Sequence, residues 1–172
     1  MKADNATNKT LFDFQAATAS PAWEVVNDDV MGGVSTSQFQ VLTTGCAIFS
    51  GTVRLENNGG FASVRSAPVR EDLTGLVAFV LRVRGDGRRY KFSVRTGEEV
   101  DTPLYQCSFT TKQDEWEEHR LEFIDFVPTF RGRVLTDVPP LNPAKVKSVG
   151  FLIADKQAGL FRLEIGWIKA SQ

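Results

Sequence analysis

The strongest constraint on this chain is the rhythm of its apolar residues. They alternate with polar ones in short runs, each stopped by Gly, Pro, Asn or Asp, and long segments of helical period are missing. Val77, Phe79, Leu81 and Val83 alternate within Leu76–Arg84, and Tyr90, Phe92 and Val94 alternate within Tyr90–Arg95 after the turn Gly85–Asp86–Gly87. Gln38–Leu42 and Cys46–Glu56 read as a hairpin across Thr43–Thr44–Gly45. Asn57–Asn58–Gly59–Gly60 is a turn, because Asn and Gly tolerate positive φ. Phe61–Ser66, Leu104–Thr110, Glu117–Phe123, Val146–Ala154 and Gly159–Ala170 supply further strands. In the last of these Phe161, Leu163, Ile165 and Trp167 share a face. Ile124–Pro143, rich in proline, reads as one long loop.

About ten strands in one domain require two packed sheets or a closed barrel. The chain has 172 residues and thirteen Phe, most of them in the inward register, so the economical fold is an all-β sandwich with a Phe-rich interior. The domain is expected over residues 11–172, after an extended or disordered tail over 1–10. That polar start lacks the apolar stretch of a signal peptide, and no run approaches the roughly 20 apolar residues of a membrane span. The expected location is cytoplasmic, without direct membrane insertion.

Twenty Lys+Arg against twenty-one Asp+Glu give a net charge of −1, which argues against nucleic acid as a partner. Two cysteines, Cys46 and Cys107, fit neither a disulfide framework nor a zinc site; Cys107, between Tyr105 and Phe109, reads as a buried thiol. The single histidine, His119, and the absence of a nucleophile motif offer no catalytic set, so the expectation is a non-enzyme with no cofactor and no metal.

Two features remain as candidate binding sites. Asn27, Asp28 and Asp29 gather three side-chain oxygens before Gly32, Gly33 and Ser35. A hard cation could use them, but the spacing is not that of a calcium loop and a tight turn is favoured. The second feature is the outward register of the strands. Arg65, Arg82, Arg84, Lys91 and Arg95 point away from the core, with Arg54 nearby and Gln106 continuing the surface, as a basic sheet face that could meet an acidic partner or a sugar, although an ordinary solvated face is favoured because antiparallel sheets routinely wet one side.

The run Trp23…Asn27-Asp-Asp-Val-Met-Gly-Gly-Val-Ser35 resembles the opening signature of the complex I intermediate-associated protein 30 family. The resemblance continues through Phe49-Ser-Gly-Thr-Val, Asn58-Gly-Gly-Phe-Ala-Ser-Val-Arg65, Leu81-Arg-Val-Arg-Gly-Asp-Gly-Arg-Arg-Tyr90, Phe130-Arg-Gly132 and Ile153-Ala-Asp-Lys-Gln-Ala-Gly-Leu-Phe161. It implies a jelly-roll sandwich of the galactose-binding-domain type. It also implies a non-enzymatic chaperone role in assembling the membrane arm of respiratory complex I (NADH:ubiquinone oxidoreductase), here in a free-standing bacterial-type form. The partner so implied is a protein, a respiratory-complex subunit or assembly intermediate, met by the loops Asn27–Ser35 and Asn57–Phe61 (with Gly59 and Gly60) and by the arginine-bearing face. The alternative is a carbohydrate-binding module of the same fold, using Trp23, Tyr105 or Trp116 to stack on sugars.

Overall fold

The computed structural model describes residues 7–15, 22–99 and 102–172. Among the described residues, thirteen strands form two antiparallel sheets. The first sheet runs in the order β3 (Thr36–Val41), β4 (Ala47–Val53), β13 (Gly159–Ser171), β6 (Ala78–Arg84), β9 (Trp116–Glu122), with β1 (Asn8–Asp13) also paired to β13. The second runs β11 (Arg133–Val134), β10 (Val127–Phe130), β8 (Leu104–Thr110), β7 (Arg89–Arg95), β12 (Ser148–Ile153), β5 (Ala62–Arg65), β2 (Glu24–Asn27). The jelly-roll sandwich expected from the strand pattern and the resemblance is present.

The interior is aromatic. Phe49, Phe79, Phe92 and Phe151 are wholly buried, and Phe79 and Phe92 meet edge-to-face across the sheets at 5.0 Å. Each such ring stabilises the fold by roughly 2–3 kcal/mol through the area it removes from water. Strand β13 organises the first sheet because it is 13 residues long. Its first half pairs with β4 and its second half with β1, while β6 runs along the opposite side.

The structure departs from the sequence reading in five places. The tail expected over residues 1–10 is shorter at its end: Asn8 and Lys9 already pair with Ser171 and Ala170, while residues 1–6 lie outside the described residues. Edge pairing uses backbone groups, so polar side chains do not prevent it. The expected loop Ile124–Pro143 contains the hairpin β10–β11, whose turn places Arg131 and Gly132 at positive φ. Val77 precedes β6 and stands exposed. Trp167 leaves the inward row because the register shifts between Ile165 and Trp167, and this bulge turns Ile168 and Ala170 into the core in its place. Cys107 is half-buried and packs against the core as a free thiol.

The pairings also fix which loops lie together. Residues 28–35, 54–61, 85–88, 111–115 and 154–158 connect strands at the same end of the sandwich. Four of the sequence motifs therefore converge on one rim, although the first and last of these connections, beginning at residue 28 and ending at residue 158, lie at opposite ends of the chain.

Candidate functional site: a rim of loops built around Asp28

Asp28 has no exposed surface, and its carboxylate is the hub of the rim. It begins a single 3-10 turn, Asp28–Met31, that follows β2 and ends at Gly32, whose φ of 85° favours glycine. Its Oδ1 accepts from the Ser35 backbone N–H at 2.9 Å. Its Oδ2 accepts from the Ser35 hydroxyl at 2.6 Å, the Gly60 N–H at 2.7 Å and the Phe61 N–H at 3.2 Å. Burial pushes this carboxyl up, but the Ser35 hydroxyl and the three N–H groups outweigh it and hold the pKa below the ordinary value.

The glycines are required by this carboxylate. A Cβ on Gly33 would lie 2.4 Å from the Asp28 Cγ, and one on Gly59 would lie 2.6 Å from its Oδ2. The neighbouring turn keeps Asn57 and Asn58 at positive φ, as their residue types predict. Ser35 ties in the third segment: its Oγ accepts from the Arg54 N–H at 2.9 Å. Asn27 accepts at Oδ1 from the Ser37 hydroxyl at 2.7 Å and from the Ser63 N–H at 3.4 Å. Asp29 points to solvent.

This arrangement commits the Asp28 carboxylate to backbone and hydroxyl donors. A cation needs lone pairs, and the Asp28 oxygens already face N–H and O–H donors that would repel it. Among the described residues no group of three metal-ligating side chains occurs. The segment is a built turn.

A second clasp completes the rim. Gln157 accepts from the Arg89 N–H at Oε1, 3.0 Å, and donates from Nε2 to the Arg89 carbonyl at 2.7 Å. Arg88 donates to the carbonyls of Gln157 and Ala158, and Asp155 binds Arg89 at 2.8 Å and Lys91 at 3.4 Å. Asp86 accepts from the Tyr90 hydroxyl and from the Arg162 N–H, which joins the two sheets at this end.

On the rim stand three exposed apolar side chains that the alternation of the sequence did not single out: Val34, Leu55 and Leu160. Val34 and Leu55 flank the Ser35–Arg54 contact, and Leu160 pairs with Thr52, which pairs with Thr36.

The expected single basic face divides in two. Arg65, Lys91 and Arg95 share the outer side of the seven-stranded sheet with Gln106, but Arg82 and Arg84 lie on the outer side of the six-stranded sheet. Equal strand parity gave both groups an outward register without saying which sheet each strand joins. Arg82 and Arg84 lie over the Trp116 ring at 5.3 and 5.4 Å, and Arg84 also binds the buried Glu164, which Arg162 reaches at 3.0 Å. Arg54 pairs with Glu56 at 2.7 Å.

The aromatic residues considered for sugar stacking are occupied. Trp23 stacks on Phe39 at 4.7 Å, Tyr105 is buried with its hydroxyl on the Pro139 carbonyl at 2.8 Å, and Trp116 is covered by its two arginines. His119 lies against Phe109 at 5.2 Å with Nε2 3.3 Å from Glu117.

Comparison with known proteins settles the family. The model of the complex I intermediate-associated protein 30 family matches residues 12–165. The chain belongs to that family. A relative from Drosophila melanogaster, named complex I intermediate-associated protein 30, mitochondrial, is 28% identical over 92% of this chain and 61% of its own length. The mouse protein of the same name is 27% identical over 93% of this chain and 55% of its own. The family domain described here thus spans little more than half the length of these relatives. Among solved structures, a family 11 carbohydrate-binding module of a cellulosomal cellulase of Clostridium thermocellum superposes with a TM-score of 0.69. It is 16% identical and covers 97% of this chain and 95% of the module. At that identity the likeness is one of fold.

Proposed function

We propose that this chain is a non-enzymatic, protein-binding assembly factor for respiratory complex I intermediates, and that it docks through the Asp28 rim. The carrying observation is the convergence of four family motifs on one end of the sandwich, where their shared residues build a rigid loop platform. Binding of this kind needs complementary shape and exclusion of water, which Val34 and Leu55 on the loops and Leu160 at the start of β13 provide; it needs no reactive side chain. The family's relatives carry complex I in their names, and that association is extended here to this chain.

The carbohydrate alternative draws on fold likeness alone, and its stacking rings are already covered. Affinity capture of the tagged chain from its native host is the test. Recovery of complex I subunits or assembly intermediates is expected, in the cytoplasmic fraction or at the membrane surface. Capture that yields no subunit of a respiratory complex, alongside saturable binding on a glycan array, would replace the proposal with the carbohydrate reading.

A further inference from the structure

The outer side of the seven-stranded sheet is chemically one-sided. A cross-strand row runs Glu24–Arg65–Gly150–Ser93–Gln106–Val127, and the next runs Ser148–Arg95–Leu104–Thr129–Val134. On this side of the sheet the short residues Ser93, Gly150 and Ser148 neighbour Arg95 in the ladder, with Leu104 opposite it on β8. Glu24 is the one acidic side chain in these rows, and it is engaged by Arg65 at 2.8 Å in an exposed pair.

Arg95 is the exception among the five residues of the expected basic face. Arg65, Arg84 and Lys91 each hold a carboxylate, and Arg82 covers an indole ring. Arg95 is half-buried, and its guanidinium has no ion-pair or hydrogen-bond partner among the described residues. Burial, and then the like charge of Arg65, push its pKa below the ordinary value. A guanidinium stays charged and carries five donors in a planar fork. Half-burying it costs part of its hydration with no protein acceptor in return, and a second cation beside it adds to that cost. Both terms reverse when one carboxylate enters between the two arginines, where it can be bound in bidentate fashion. Val127 and Val134, both exposed, border the same surface and favour an occupant with apolar side chains as well.

We infer that Arg95, with Arg65 beside it, receives a side-chain carboxylate from an acidic, apolar-bearing segment of the partner protein, laid across the outer face of the seven-stranded sheet. The inference rests on the protein-binding reading above. It adds a second contact: Arg95 lies at the far end of β7, about 20 Å from the rim at ~3.3 Å per residue.

Titration of the whole chain with a blocked hexapeptide of alternating glutamate and leucine, followed by ¹⁵N NMR, tests it. The Arg95 Nε–Hε resonance and the amides of Ser93 and Gln106 shift saturably. The apparent Kd rises about tenfold in Arg95→Gln and about threefold in Arg95→Lys, which keeps the charge but loses the fork. Arg65→Gln supplies an independent variant should Arg95→Gln alter the amide spectrum elsewhere; it too weakens the peptide.

Three results would overturn the inference: no saturable shift, peptide binding by Arg95→Gln equal to that of the unaltered chain, or Arg95 shifts produced by inorganic phosphate or phosphatidylglycerol vesicles where the peptide produces none. Capture from the native host separates the two levels. If Arg95→Gln recovers as much complex I as the unaltered chain, the Arg95 contact is refuted and the assembly reading stands. If the unaltered chain recovers none, that reading is refuted and the peptide titration decides Arg95 alone.

Discussion

At the scale of single residues, Asp28 explains why the two glycine-bearing motifs take the form they do. One buried carboxylate accepts four hydrogen bonds from two loops, and Gly33 and Gly59 leave the room it occupies. Asp28→Asn turns an amide NH₂ toward donors and removes the charge they satisfy. It is expected to destabilise the chain by about 2–4 kcal/mol in urea unfolding at pH 7. The pH dependence has a definite sign. The folded-state pKa of Asp28 lies below the ordinary 3.8, so its contribution is complete above that value and is lost as pH falls through the folded pKa. Glu164, held low by the Arg84 hydrogen bond despite its burial, acts in the same direction. Urea midpoints measured from pH 7 to pH 2 therefore fall on the acid side, and the fall is shallower in Asp28→Asn. Arg95 makes the opposite case: Arg95→Met removes an unpaired, half-buried charge and keeps an apolar stem. Its melting temperature is expected to rise above that of the unaltered chain, a change readable by calorimetry.

At the scale of elements, most strands were legible because one face of each is buried and alternation records that directly. Leu104–Thr110 matches β8 end to end. What alternation cannot record is pairing. Asn8–Asp13 and Glu24–Asn27 form strands through partners far along the chain, and the short β10–β11 hairpin sits among prolines that suggest a loop. The Trp167 register was illegible for a related reason: the bulge depends on how β6 and β13 align, which no local pattern states. The turn at Asn57–Gly60 was legible because its chemistry is local, whereas the Gln157 clasp was not, since its partner is 68 residues away. Gln157→Ala removes both hydrogen bonds to Arg89. Hydrogen exchange at the Arg89 amide is expected to accelerate about tenfold or more, while the amides of β8 keep their protection.

At the scale of the whole molecule, the sandwich separates a packed, aromatic interior from a rim where distant motifs meet. The hydrogen bonds around Asp28 fix that rim, and the basic residues of the expected single face divide between the two sheets. The charge of −1 counted from composition conceals this division, because acids satisfy most of the arginines and leave Arg95 unsatisfied. The most direct measurement is quantitative mass spectrometry of proteins captured from the native host by the unaltered chain and by Val34→Glu/Leu55→Glu/Leu160→Glu. These three side chains are already exposed, so the two proteins should melt alike. The account predicts complex I subunits with the unaltered chain and at least about tenfold less with the variant, the loss of roughly 1.4 kcal/mol or more of binding energy. Equal recovery by the two proteins, or no complex I subunit with either, would contradict it.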